Sequence, residues 1–178
     1  MRDTENATAP SHSGRKTPAT HFTALFEHAL KDMFYAENHI YKALPGMVRA
    51  ANDAALKHAL TEHREETASQ IEVLKLVFES IGKRPAGVKC DAIDGILEEA
   101  TGLLEDFGGT EAGDAAIIFP CQAVEHYEIT RYGSMVAFAN ALGKRDAAEM
   151  LAGILRQEHS ADEALTKMAV NRINQAAA

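Results

Sequence analysis

Apolar residues recur at the three- and four-residue spacing of an amphipathic helix along most of this sequence. With breaks at glycine and proline, the pattern predicts four long helices, over residues 21–44, 53–80, 113–142 and 146–171. A shorter helix is predicted over residues 92–107, between the second and third long helices. Long helices of similar length with short connections predict an all-α chain folded as an antiparallel helical bundle.

Glycine, proline and acidic residues mark the ends of these predicted helices. We expect the first helix to end before Pro45, because proline cannot donate the next helical hydrogen bond. Either Asn52 or Asp53 can cap the second helix, and Asp146 is the expected cap of the fourth. Pro120 lies inside the third helix, so a kink or a distorted first turn is expected there.

Each long helix carries polar residues near its middle, at positions where its apolar stripe calls for a hydrophobic side chain. They are Glu37 on the first helix, His63 and Glu66 on the second, Glu125 and Glu128 on the third, and Glu158 and Asp162 on the fourth. Residues three or four apart lie on one face of a helix. Because the midpoints of antiparallel helices share one layer, all of these side chains are predicted to converge.

Several carboxylates and an imidazole cannot share an apolar core as anions unless protons or cations neutralise them. The stripes contain almost no lysine or arginine that could do so. Oxygen-rich ligation with one nitrogen suits iron or manganese in a two-metal site bridged by carboxylates. For any single residue, a solvated surface pair is the more frequent explanation, but the repetition on all four helices favours a metal site.

Other polar residues near these stripes are assigned lesser roles. Gln70 and Tyr132 lie about one turn from the predicted ligands, and could hydrogen-bond to them or be ordinary core residues. His126 is displaced from the stripe, which favours a supporting or surface position over direct ligation. Asp32 also lies off its stripe and is predicted to be solvated, whereas Cys121 is predicted to be a small core residue.

Composition narrows the class of protein further. The net charge of −8, without a basic patch, argues against a nucleic-acid surface. No apolar run approaches the roughly 20 residues of a membrane span, and no signal peptide is evident, so we expect a cytoplasmic protein. Cys90 and Cys121 have no CxxC context and are interpreted as reduced thiols. Residues 1–20 are polar and aperiodic and are predicted to form a disordered tail, ahead of one domain over residues 21–174.

Four segments carry a family resemblance: LFEHALKDMFYAENHIYKALPGM, HREETASQIEVL, VEHYEITRYGSM and QEHSADEALTKMA. They resemble the bacterial YciE/YciF family of ferritin-like proteins, and the resemblance extends from about His21 to Met168. It implies an all-α, ferritin-like antiparallel four-helix bundle with one additional short helix. It also implies a protein that is usually dimeric and associated with bacterial stress responses.

The wider ferritin-like superfamily places one glutamate on the first and third helices and Glu-x-x-His on the second and fourth. This sequence departs from that pattern, because the second helix has His63-x-x-Glu66 and the fourth has Asp162 instead of a histidine. Glu125-x-x-Glu128 resembles the additional carboxylate of rubrerythrins. These departures leave open which metal is bound and whether it is catalytic.

Two functions are therefore compared. The first is a dinuclear iron protein, with manganese as the other possible metal, that acts on oxygen or peroxide as a homodimer with an oxidase- or peroxidase-type activity. The second is a stress-induced interaction bundle whose buried polar residues set helix register without chemistry. The sequence does not decide whether turnover occurs.

Overall fold

A computed structural model describes residues 18–178, and the described residues form helices without any strand. The helices are α1 (Pro18–Ala50), α2 (Ala54–Ser80), α3 (Asp91–Phe107), α4 (Gly113–Ala141) and α5 (Arg145–Met168). A π-helical turn (Ala169–Ile173) and the short α6 (Asn174–Ala177) follow. The predicted all-α class is confirmed. Most of the predicted disordered tail, residues 1–17, lies outside the described residues.

The four long helices pack in a ring, in which α1 and α5 each contact both α2 and α4. Contacts at both ends of one pair show that α1 and α4 run antiparallel. The Asn52 backbone N–H, just beyond α1, donates to Asp114 at the start of α4, whereas the Phe22 ring near the start of α1 packs on Phe138 near the end of α4. None of the helices in the described chain is both long enough and apolar enough to cross a membrane.

Apolar side chains fill the interior at both ends of this ring. One end is packed by Phe26, Leu30, Leu74, Phe78, Met135 and Leu151, and the other by Leu44, Leu56, Leu60, Ile117 and Leu165. Complete burial of such a side chain contributes about 1.5–3 kcal/mol. The helix midpoints, with their predicted polar residues, lie between these two apolar ends.

The predicted end of α1 before Pro45 is wrong, because the helix continues through the proline to Ala50. Pro45 cannot donate to the carbonyl of Tyr41, which removes one helical hydrogen bond. However, the turn beyond it buries Met47 and Ala51, and the Ala51 N–H donates to the Met47 carbonyl at 2.9 Å. Burial of this last turn therefore outweighs the missing bond.

The predicted cap of the fourth long helix is also wrong. Lys144 occupies the N-cap position without a side-chain cap, and Asp146 lies inside the first turn of α5. The reason is the tight end of α4, where Gly143 adopts φ +68° and the Lys144 N–H donates to the Ala139 carbonyl at 2.8 Å. At α2 the choice left open by the sequence is decided for Asp53, whose carboxylate accepts hydrogen bonds from two backbone N–H groups of the first turn.

Asp32 is buried, which contradicts its predicted solvation. The Tyr127 hydroxyl donates to its carboxylate at 2.9 Å, and the Arg131 Nε lies 3.5 Å away. The Cys90 Sγ, just before α3, lies 3.3 Å from the same Tyr127 hydroxyl. This small network compensates the buried charge and ties α1 and α4 to the start of α3.

Candidate metal centre

Five of the predicted site residues meet in one buried layer between the two apolar ends. Their relative exposures are 0% for Glu37, 8% for His63, 2% for Glu125, 1% for Glu128 and 0% for Glu158. Each of the four long helices contributes at least one of them, because each helix has its apolar stripe interrupted at its middle. The predicted convergence of these five side chains is therefore observed.

Distances in this layer are compatible with shared ligation. The His63 Nε2 atom lies 3.4 Å from a carboxylate oxygen of Glu125. One ligand atom each from His63, Glu125 and Glu128 lies within 4.8 Å of the other two. Besides burial, the charge of Glu37 raises the pKa of Glu128, and the charge of Glu158 raises the pKa of Glu125, so the carboxyl groups of each pair lie close together.

The remaining two predicted residues lie at the margin of the layer. Glu66 is half-buried, and its charge contributes to the raised pKa of Glu158. Asp162 is also half-buried and accepts a hydrogen bond from the Gln122 side chain at 3.1 Å. His126 is exposed and lies 3.4 Å from Asp162, so it occupies the surface position that the sequence favoured.

Two neighbours of the cluster hold its carboxylates in place. The buried Tyr132 hydroxyl donates to Glu37, and the buried Gln70 amide nitrogen donates to Glu158. The structure thus decides that both residues support the carboxylates rather than merely fill the core. Each hydrogen bond engages one oxygen of its carboxylate and leaves the second oxygen without a hydrogen-bond partner.

Most of the other polar atoms in this layer have no hydrogen-bond partner. They are the second carboxylate oxygens of Glu37, Glu125 and Glu158, both oxygens of Glu128, and both ring nitrogens of His63. A buried polar atom left without a partner costs about 1–3 kcal/mol, and more when it is charged. Among the described residues, no salt bridge joins a lysine or arginine to these four carboxylates. Within the described chain, no lysine or arginine therefore neutralises these buried carboxyl groups.

The pKa values of these groups show how strongly burial disfavours their charged forms. Burial, followed by the nearby charge of Glu158, raises the pKa of Glu37 to about 8. Burial also raises the pKa of Glu158 to about 7 and those of Glu125 and Glu128 well above their usual value. Burial lowers the pKa of His63 to about 4, which keeps its imidazole neutral. Neutral imidazole and clustered carboxylates are donors that suit iron or manganese, so these residues fit such a metal centre.

A cavity of about 250 Å³ adjoins the cluster, and sequence analysis did not identify it. Its polar end contains His63, Glu66 and Glu125, and the rest is mainly apolar, including Met47 and Leu97. Small residues on α2 and α5 line it, but alanine is frequent in all helices of this chain. No sequence signal marks such a space, since it depends on how five helices pack together.

The fold and this layer define the class: an all-helical protein with a buried cluster of carboxylates and one imidazole. Residues 21–178 match the model of the DUF892 family, described as a domain of unknown function, and the chain belongs to that family. It is 39% identical over 154 residues to protein YciF of Escherichia coli strain K12. The alignment covers 86% of this chain and 93% of YciF. The predicted resemblance to the YciE/YciF family is confirmed.

Two solved structures are similar to this chain over most of their length. The crystal structure of the E. coli stress protein YciF aligns with a TM-score of 0.82 at 38% identity, covering 86% of this chain and 98% of YciF. YcfI of Rhodopseudomonas palustris, a protein for which a structural role has been suggested, aligns with a TM-score of 0.80 at 43% identity. That match covers 82% of this chain and 92% of YcfI.

Proposed function

We propose that this protein is a ferritin-like four-helix bundle that holds two iron ions, with manganese as the other candidate, in its buried polar layer. We further propose that it acts on oxygen or peroxide during bacterial stress, as a cytoplasmic homodimer. The observation that carries the metal proposal is the set of unpartnered, deeply buried ligand atoms from all four long helices. The stress role is supported by the similarity to E. coli YciF, a stress protein.

The ligands in this proposal are the five buried residues. Glu37, Glu125, Glu128 and Glu158 supply carboxylates, and His63 supplies one imidazole nitrogen. Glu66 and Asp162 remain predicted ligands at the margin, where a side-chain rotation would bring either carboxylate inward. In bound form, the metals would supply redox chemistry toward oxygen or peroxide.

The chain's own contribution is to orient ligands and to exclude water. Tyr132 and Gln70 direct Glu37 and Glu158 through the hydrogen bonds described above, and such supporting bonds typically change metal affinity by about 10–100-fold. The apolar ends of the ring shield the layer on both sides. Glu125 and Glu128, one turn apart on α4, would both hold the metals from the same face of that helix.

The test is the metal content of protein produced in cells supplied with iron and manganese. We expect about two metal ions per chain for two complete sites. The double substitution Glu125→Gln and Glu128→Gln should reduce this metal content at least tenfold, because it replaces two carboxylates by neutral amides. Glu62→Gln, at an exposed residue beside His63, is the matched control and should leave the content unchanged. Less than one metal per chain in the unaltered protein would contradict the proposal.

A structural or interaction role is the second candidate, and the role suggested for the R. palustris relative favours it. In that case the polar layer would set the register of the helices, and no metal would be needed. The same double substitution separates the two functions. A purely structural layer predicts changed thermal stability or partner binding, with no metal to lose and no oxidation activity to abolish.

A further inference from the structure

The cavity beside the polar layer has a volume and a lining that a reaction with oxygen or peroxide alone does not require. Its volume is about 250 Å³. A dry cavity of roughly 150 Å³ takes up benzene, which has six carbon atoms, so this space corresponds to about ten non-hydrogen atoms. Oxygen and peroxide contain two such atoms, so the cavity is several times too large for either.

The chemistry of the lining changes from one end of the cavity to the other. The apolar end contains Leu44, Met47, Leu60, Leu97 and Leu165. The polar end contains His63 and Glu125, both more than nine-tenths buried, and His63 has no hydrogen-bond partner at either ring nitrogen. An elongated molecule with one polar end would match this gradient.

The charges on the lining restrict the polar end of that molecule. Glu62, Glu66 and Glu125 line this part of the cavity, and none of the described lining residues is a lysine or arginine. A free anion would lose its hydration here without gaining a positively charged partner. A hydroxyl or amine can instead donate a hydrogen bond to a carboxylate oxygen, and a hydroxyl can also meet the unpartnered imidazole.

The way in lies between α2 and α5. Ala59 and Ala161 are half-buried, whereas Glu62, Ser160 and Ala164 are exposed, and all five line the cavity. Small side chains on two facing helices leave this side of the ring open. A larger residue at Ala59 or Ala161 would therefore occupy the space that a ligand needs.

We propose that this cavity binds an elongated, mainly apolar molecule of about ten non-hydrogen atoms, with a hydroxyl or amine end placed at His63 and Glu125. The site is formed by the helices themselves and does not require bound metal. If the metal centre proposed above is also present, the polar end of the ligand lies beside it. The two proposals can fail independently, because ligand binding can be measured with and without metal.

The probes are straight-chain alcohols from butanol to dodecanol, titrated by calorimetry into the full chain, first metal-free and then iron-loaded. Each added CH₂ group should tighten Kd about fourfold, which corresponds to about 0.8 kcal/mol. The gain should stop near octanol or decanol, where the cavity is full. Octylamine should bind as octanol does, and octanoate should bind at least tenfold more weakly to the metal-free protein.

Variants locate the site. Ala59→Leu and Ala161→Phe should each weaken octanol binding at least tenfold. Ala55→Leu lies one turn from Ala59 on α2, is exposed and does not line the cavity, so it should leave binding unchanged. Circular dichroism verifies that each variant is folded. Should both cavity variants unfold, the chain-length series on the unaltered protein still decides.

Three results would overturn the proposal: no saturable octanol binding, an affinity independent of chain length, or folded cavity variants that bind octanol normally. Octanol binding to a protein that takes up no metal when iron and manganese are supplied would support this site, and the missing metal uptake would contradict the metal proposal. Metal binding without octanol binding would support the metal proposal and contradict the cavity proposal.

Discussion

In the metal-free protein, the free energy of unfolding should fall as the pH rises from 6.5 to 7.5. In the metal-free folded state the pKa of Glu37 is about 8, compared with a usual value of 4.5. The folded protein therefore retains a proton that the unfolded chain has released. Stability contributed in this way is fully present below pH 4.5 and is lost as the pH rises through 8. Glu158, with a pKa of about 7, acts in the same direction.

The magnitude follows from the slope of about 1.4 kcal/mol per pH unit for each proton held only by the folded state. Between pH 6.5 and 7.5, Glu37 stays mostly protonated when folded and Glu158 is about half protonated. Together they lower the free energy of unfolding by about 2 kcal/mol over this interval. Glu125 and Glu128 add to the fall, because burial raises the pKa of both.

His63 acts in the opposite direction, but at lower pH. Its pKa is lowered to about 4 from 6.5, so its contribution to stability is lost as the pH falls from 6.5 toward 4. Between pH 6.5 and 7.5 it raises the free energy of unfolding by only about 0.4 kcal/mol, because the unfolded imidazole loses its remaining proton there. The carboxyl groups therefore dominate the change over the chosen interval.

The assay is thermal unfolding of chelator-treated protein at pH 6.5 and 7.5, followed by circular dichroism. A loss of about 2 kcal/mol should lower Tm by about 4–8 °C in a chain of this size. Glu37→Gln removes one titrating group and should make the fall smaller by about 1 kcal/mol. In metal-loaded protein the fall should shrink or reverse, because metal binding requires ionised carboxylates. An unchanged or rising Tm in the metal-free protein would refute the reasoning.

Three further predictions test other parts of the structure. Tyr132→Phe removes the donor to Glu37 and should weaken metal binding about 10–100-fold in chelator competition, and unchanged affinity would show that this hydrogen bond has no orienting role. Asp53→Ala should lower the free energy of unfolding in urea by about 1–2 kcal/mol, because it removes the cap of α2. Asp146→Ala, which removes no cap, should lower it by less than about 0.5 kcal/mol. Equal losses would contradict the assignment of the caps. Leu74→Ala should cost about 2–5 kcal/mol and leave metal content unchanged, so loss of metal at this site would show that the apolar end and the polar layer are coupled.

The membership of the polar layer was largely predictable from the sequence. An acidic residue in an apolar stripe is conspicuous when the helical period is clear, and the midpoints of antiparallel helices must meet. For that reason the spacing alone predicts that Glu37, Glu125, Glu128 and Glu158 belong to the layer. Glu66 and Asp162 satisfy the same spacing, yet they lie at the margin, because small rotations of a helix decide whether a side chain faces the axis or the rim.

The supporting contacts and the helix ends were less predictable. The sequence is equally compatible with Tyr132 and Gln70 as ordinary core residues, and only their hydrogen bonds to Glu37 and Glu158 distinguish the two roles. The sequence overestimated the effect of Pro45, since the burial of Met47 and Ala51 in the next turn stabilises the helix beyond it. Helix ends depend on marginal differences of this kind between a lost hydrogen bond and gained packing.

The sequence by itself determined the helices, their order and the residues that interrupt their apolar stripes, because these features depend on local spacing along one helix. Only the tertiary structure decided which carboxylate oxygens and imidazole nitrogens remain without partners, that Asp32 is buried and compensated, and that a cavity adjoins the cluster. Those properties depend on the rotation and separation of several helices at once. No single helix contains that information, since each partner of a buried group lies on a different segment of the chain.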